Sequence, residues 1–452
     1  MKLLNFSFLC GILAVTSTVS VAQRFPGLSA HQEQTEPQAP LFYEAQNFIS
    51  QFSGKGRVDV LYRIPQTFFI SIKNPSNTTS GHLLLRPEIS VELRDTSGSV
   101  TAHDLRREDI EASMPGDSSE EPRFIQGGFS FDVPPSDYSI IIEVNDRESS
   151  RHFIDNKRKI TVRDFSKLSI ALSDVLFFYY PSSYINPFMP INFGGDIPFG
   201  EKIRFFVEVL DKNSRYTFSL SSKIIAVDSG NHAVSMNKYP WHVGSAAPLT
   251  MKNDSSSHYT WMIQPGIQFL SYLFPIAMDE LPEGEYLLQL TAVHGNDSTT
   301  TSQKFQIYWF DKPFTLRNPE RAIVLLKYIA SEDEMKSLKH GNTEERKRAF
   351  TEFWKKRDPK PETPFNELMA EYYRRADYAT MHFNTFRNND GTETDRGKAY
   401  LLYGPPTTIQ RELKPSLPPR EIWEYDSPKK RLIFIDKSKQ GDYILLKTEE
   451  RQ

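Results

Sequence analysis

The chain has 452 residues, 38% of them hydrophobic, 13% aromatic and 25% charged, with a formal net charge of −3 at pH 7. That length calls for more than one core, and the composition excludes a disordered chain. The near-balanced charge removes the global basic field on which nucleic-acid binding relies.

Residues 1–22 read as an export signal. Lys2 gives the positive start, Leu3 to Val15 is mostly apolar, and Ser20-Val21-Ala22 supplies small residues before a cut ahead of Gln23. The apolar run is shorter than a comfortable bilayer span, so the mature chain is expected to be exported without a transmembrane segment. Cys10, the sole cysteine, lies inside this leader, and Leu9 stands where a lipid-attachment signal needs a small residue. A mature chain without thiols would have no disulfide, cysteine nucleophile or thiolate metal site.

Residues 23–40 are polar and proline-bearing, as linkers are. Strand patterns begin at Leu41. Val58, Val60 and Tyr62 alternate, as do Ile89, Val91 and Leu93, and Phe129, Phe131 and Val133. VPPSDYSIIIEV, from Val133, matches LPEGEYLLQLTA, from Leu281: proline second, tyrosine sixth, then alternating apolar residues. Tyr138 and Tyr286 stand 148 positions apart, and closing strands around Ile160 and Ile307 keep nearly the same spacing. The spacing predicts two tandem immunoglobulin-like β-sandwich domains, 41–165 and 166–311; two unrelated hairpins that converged on one turn are the alternative. The stretch SYINPFMPINFGGDIPFGE reads as an aromatic loop closing over the second core.

Beyond Phe310 the pattern becomes helical. Asn318-Pro319-Glu320 starts a first helix, Ser331 with Glu334 forms a capping box for a second, Thr343 caps a third, and Thr363-Pro364 opens a fourth running to about Phe383. Strands return in KAYLLYG, EIWEYD, RLIFID and DYILLK. The segment 312–452 is thus α+β, with helices first and a small antiparallel sheet last, and the whole chain is multidomain β plus α+β.

The charged residues of this segment invite chemistry. Glu367 and Glu371 share one helix face, Glu371 precedes Arg375 by four, and Arg374 lies three away. Arg357, Asp358, Asn366, Asp395 and Arg396 complete the candidate network. Paired carboxylates suit glycoside hydrolysis, acids with Asp358 or Asp395 suit a hard cation, and paired arginines suit a carboxylate or phosphate. Near-equal signs favour a different outcome, in which acids and arginines neutralise one another and fix the fold. No Gly-x-Ser-x-Gly, His-Glu-x-x-His, phosphate-cradling Gly-Lys-Ser/Thr or calcium-loop pattern occurs in the sequence. No cofactor or metal is expected.

FWKKRDPKPETPFNE, EYYRRADYA, GTETDRGKAYLLYGPP and IWEY together resemble the GWxTD domain of exported bacterial proteins, over about Phe314 to Leu446. The motif's tryptophan is replaced by Thr392, while Thr394, Asp395, Arg396 and Gly397 keep the rest. If that tryptophan is a ligand platform, its loss implies a lost or changed ligand; if it is a core residue, a neighbouring aromatic such as Tyr400 is expected to fill the space. Asp395-Arg396-Gly397 reads as a tight turn with a left-handed glycine, from which Arg396 would reach Glu367 or Glu371. The resemblance implies export to a bacterial periplasm or cell surface and carries no established reaction. The expected function is non-catalytic binding or scaffolding in the cell envelope, with another envelope protein as partner. The alternative is a hydrolase of envelope glycan or peptide using Glu367, Glu371 and Asp395.

Overall fold

The computed structural model describes residues 41–73, 83–112, 124–179, 190–212, 218–227, 232–239, 244–245, 249–253, 259–263, 270–276, 281–414 and 416–450. The expected leader 1–22 and expected linker 23–40, the segments 74–82 and 113–123, and parts of the long connections of the second β region lie outside these. The chain is a β-rich region followed by a helical and small-sheet region, and it divides into two compact units at Asp311–Lys312.

The first unit opens with β1 (Phe42–Ile49), β2 (Gly56–Pro65), β3 (Ile72–Lys73), β4 (Leu83–Leu85), β5 (Pro87–Arg94), β6 (Val100–Arg107), β7 (Ile110–Ala112), β8 (Phe124–Val133), β9 (Asp137–Asp146), β10 (His152–Asp155) and β11 (Lys159–Thr161). It continues with β12 (Ile170–Leu172), β13 (Leu176–Tyr179), β14 (Ile197–Pro198), β15 (Ile203–Asp211), β16 (Ser219–Ala226), β17 (His232–Tyr239), β18 (Gly244–Ser245), β19 (Leu249–Asn253), β20 (Tyr259–Ile263), β21 (Leu270–Ile276), β22 (Gly284–His294) and β23 (Asp297–Tyr308).

The pairing pattern occurs twice. One sheet runs β1-β2-β8 and its counterpart β12-β15-β21, with β13 also on β15; the other runs β10-β9-β5-β6, with β11 on β9, and its counterpart β23-β22-β16-β17. Each half encloses its own apolar cluster, one around Val60, Val91 and Ile142, the other around Phe205, Leu288 and Ile307. The repeated tyrosines make the same bond: the Tyr138 hydroxyl donates to the Pro134 carbonyl at 2.8 Å and the Tyr286 hydroxyl to that of Pro282 at 2.9 Å. The register refines the repeat. Tyr138 faces Ile160, but Tyr286 faces Phe305, so Phe305 rather than Ile307 is the equivalent of Ile160. Ile191, Phe193 and Ile197, from the described end of the aromatic loop, are buried in the second core.

β2 and β15 are buried on nearly every residue, not on alternate ones. One face of each lines its own core. The other faces meet: Phe48 and Leu61 pack with Leu176, Phe178 and Phe206. Arg57 pairs there with Glu208 at 2.8 Å and with Asp59 at 3.2 Å.

The second unit holds α1 (Pro319–Leu325), α2 (Glu332–Lys339), α3 (Thr343–Lys355), α4 (Glu367–His382) and α5 (Asp395–Tyr403), then β24 (Thr408–Glu412), β25 (Arg420–Tyr425), β26 (Lys430–Ile435) and β27 (Ile444–Glu450) in that spatial order. Asn318 caps α1 and the Ser331–Glu334 capping box opens α2. Two starts differ from the sequence reading. Asn342, not Thr343, caps α3 with Glu345 as its box partner, and Asn366, not Thr363, caps α4. An amide oxygen reaches the third backbone N–H as well as a hydroxyl does, so an asparagine caps as readily as the threonine beside it.

KAYLLYG is helix, not strand: Lys398 to Tyr403 lie in α5 and Gly404 is its C-cap. Its Ala399 packs on the sheet-side cluster with Trp423 and Phe434, while Leu401 packs on the helical cluster with Trp354 and Tyr373. A helix covered on two sides buries residues two apart, which imitates the period of a strand.

Candidate functional site

The candidate residues fall into separate groups. Glu371 accepts from Arg375 Nε at 2.7 Å and Arg374 at 3.2 Å, both on α4. Glu367 pairs with Lys360 at 2.6 Å. Arg357 reaches Glu334 of α2 at 2.6 Å and lies over the Phe353 ring. Asp358 accepts from the Lys360 backbone N–H at 2.9 Å, and burial, ahead of nearby Glu362 and Glu367, raises its pKa. Asn366 caps α4 and donates to the Trp354 carbonyl at 2.9 Å, tying α4 to α3.

Asp395 and Arg396 belong to a different place. Thr394 caps α5: its hydroxyl accepts from Gly397 N–H at 3.1 Å and donates to the Gly391 carbonyl at 2.7 Å. Asp395 accepts from Leu445 N–H at 2.9 Å, joining α5 to β27. Arg396 does not reach Glu367 or Glu371. It pairs with Glu421 of β25 at 3.3 Å, donates to the Gly441 carbonyl, and is stacked between the Tyr443 and Phe383 rings. Glu421, nearly buried, also accepts from Arg411 at 3.0 Å and Trp423 Nε1 at 3.2 Å. The carboxylate is thus shared by three donors from α5, β24 and β25 itself. Arg396 lies in the first turn of a helix rather than in a tight turn, and its side chain leaves that helix on the sheet side.

The glycines of the segment are required by contact rather than by a left-handed turn. A Cβ on Gly391 would lie 1.8 Å from the Ala379 carbonyl of α4, and one on Gly397 would lie 1.8 Å from the Gly391 carbonyl. Gly397 sits in the first turn of α5 and carries no positive φ. Thr392 is fully buried, with its hydroxyl on Asp390 at 2.7 Å and its carbonyl accepting from Tyr328 at 3.0 Å. Tyr328 is therefore the aromatic bonded at this position. Tyr400 is occupied elsewhere, stacked on Tyr378 at 4.4 Å.

In the second unit, Asp377 and Asp390, both outside the candidate network, are strongly perturbed. Asp377 accepts from Phe314 N–H, Thr315 N–H and the Thr315 hydroxyl at 2.6, 3.1 and 2.5 Å. Burial pushes its pKa up to about 6 against those bonds and Arg321. Burial also acts to raise Asp390, but the fork of Arg321 at 2.8 and 3.0 Å, with Thr392, holds it down at about 2. Among the described residues no group of three or more His, Cys, Asp or Glu is placed to hold a metal, and no helix is long and apolar enough to cross a membrane.

Residues 292–452 match the family model of the GWxTD domain. The chain carries a GWxTD domain. The match begins inside β22, so it takes in the last strand of the first unit as well as the whole second unit. In this domain the glycine of the motif seats against α4, the threonine caps α5 and the aspartate ties down β27. None of the curated proteins matches the chain. Among solved structures, a collagen adhesin from S. aureus is aligned at 11% identity over 60% of this chain and 93% of the adhesin, with a TM-score of 0.13, too low to bear on fold or function.

Proposed function

We propose that the chain is a non-catalytic binding or scaffolding protein of the bacterial cell envelope, exported by the leader 1–22. In this reading two tandem immunoglobulin-like domains, 41–165 and 166–311, precede the GWxTD domain, 312–452. The doubled pairing pattern and the two tyrosine hydroxyl bonds support the sandwich assignment, since a tyrosine bonded back to the backbone before its strand is a feature of such sandwiches.

The observation that carries the binding reading is the sheet of the GWxTD domain. Its outer strands β24 and β27 have no further strand beside them among the described residues, and apolar side chains stand out there: Ile409, Leu413 and Leu417 near one edge, Leu445 and Leu446 on the other. The β24 edge, with its exposed apolar residues, suits addition of a partner segment, whereas on β27 the Leu445 N–H is already taken by Asp395 and only the apolar side chains are on offer. The carboxylates favoured for hydrolysis are engaged, Glu371 by two arginines, Glu367 by Lys360 and Asp395 by a backbone N–H. A free acid facing a substrate is what that chemistry needs.

Photo-crosslinkers placed at Leu413 and Leu446 in cells should trap one defined envelope protein, whereas a probe at exposed Asp333 should not. Release of glycan or peptide fragments that disappears in Glu371→Gln, with no position-specific crosslink, would refute the reading.

A further inference from the structure

We propose that the C-terminal end of α5 forms a binding site for a phosphate or carboxylate group carried on a flat or apolar body. The inference goes beyond the partner reading and does not depend on it.

Arg375 is the central residue. Its Nε is engaged by Glu371 at 2.7 Å, but its two terminal nitrogens bond nothing among the described residues, and its side chain is 25% exposed. By contrast, Arg321 and Arg357 place terminal nitrogens on carboxylates. A guanidinium held through Nε presents its other edge as a fork for a planar or tetrahedral anion. Gly404, at φ 76°, lies against that guanidinium, and a Cβ there would come within 2.9 Å of Arg375 Cζ. Bare backbone thus keeps the approach open.

Lys430 is the second cation. It stands opposite Tyr425 in the β25–β26 register, and its ammonium lies 5.2 Å from the Tyr403 ring with no acid partner among the described residues. Tyr403 and Tyr425, with ring centroids 5.6 Å apart, link the two cations. The Tyr425 hydroxyl is taken by the Gly404 carbonyl at 3.2 Å, while that of Tyr403 bonds nothing among the described residues. Glu450 stands opposite Lys430 across β26–β27 without an ion pair between them, so the nearby charges are Arg374, Arg375, Lys429 and Lys430 against Glu371, Asp426 and Glu450. Two open cations, a free phenol and an aromatic floor form a built receptor for an anion with an apolar face.

The test is calorimetric titration of the purified chain at low ionic strength with inorganic phosphate, glucose 1-phosphate and glucuronate. Saturable binding of at least one probe is expected, weakened about tenfold or more in Lys430→Gln and Arg375→Gln and unchanged in Lys339→Gln. Tighter binding of glucose 1-phosphate than of phosphate would assign the aromatic floor to the ligand's body, and preference for glucuronate would assign the carboxylate class. Lys430→Gln breaks no ion pair, so it decides the matter if Arg375→Gln fails to fold. Absence of saturable binding by all three probes, or binding that survives Lys430→Gln unchanged, would overturn the site.

Discussion

Asp377 shows how one buried carboxylate contributes to the pH response of the second unit. Its folded pKa, about 6, lies above the value near 3.9 usual for an exposed aspartate. Ionisation therefore costs the fold: the penalty is complete above about pH 6 and fades as pH falls toward the unfolded value. Arg321 offsets part of that penalty and is itself engaged by Asp390, whose depressed pKa has the opposite consequence. The stability that Asp390 contributes is present above the unfolded value and lost as pH falls through about 2. Urea unfolding between pH 7 and pH 4.5 should show the second unit gaining stability on acidification, and Asp377→Asn should flatten that slope. A slope unchanged by the substitution would remove Asp377 as its source.

At the scale of elements, the GWxTD segment is a set of close contacts. Gly391 lets α4 and the following turn touch, and Gly397 lets that turn touch α5. Gly397→Ala would drive a methyl group into the Gly391 carbonyl, and a loss of about 3 kcal/mol is expected, at the upper end of overpacking costs. Chemical denaturation of the purified variant measures it, and a loss below about 1 kcal/mol would contradict the packing account. The sequence made α1, α2 and three of the last four strands legible, because proline, capping boxes and alternation act locally. It hid α5, whose burial on two sides mimics a strand, and with it the direction of Arg396. It also hid β24, which is exposed on every residue and so carries no apolar period.

At the scale of the whole chain, the two β halves of the first unit are joined through the outer faces of β2 and β15. Arg57, Asp59 and Glu208 occupy the positions that alternation assigns to solvent, so the strand pattern alone assigns them no role. The second half packs against this face, and Glu208 accepts from the Ile49 N–H across it at 2.9 Å. The Arg57 and Glu208 side chains are 9% and 0% exposed, and burial, offset by Arg57, raises the pKa of Glu208. Arg57→Ala would leave two buried carboxylates without their cation, so a loss of about 3–5 kcal/mol is expected. Denaturant unfolding followed by tryptophan fluorescence would test this, and a change under about 1 kcal/mol would mean that the junction is hydrated.

The account depends most on charged residues of the GWxTD domain serving its architecture. The sharpest test is the unfolding free energy of Glu421→Ala, which strips the shared partner from Arg396, Arg411 and Trp423. A loss of about 3 kcal/mol or more is predicted, as for a nearly buried ion pair deprived of one member. A variant within about 0.5 kcal/mol of the parent would contradict it.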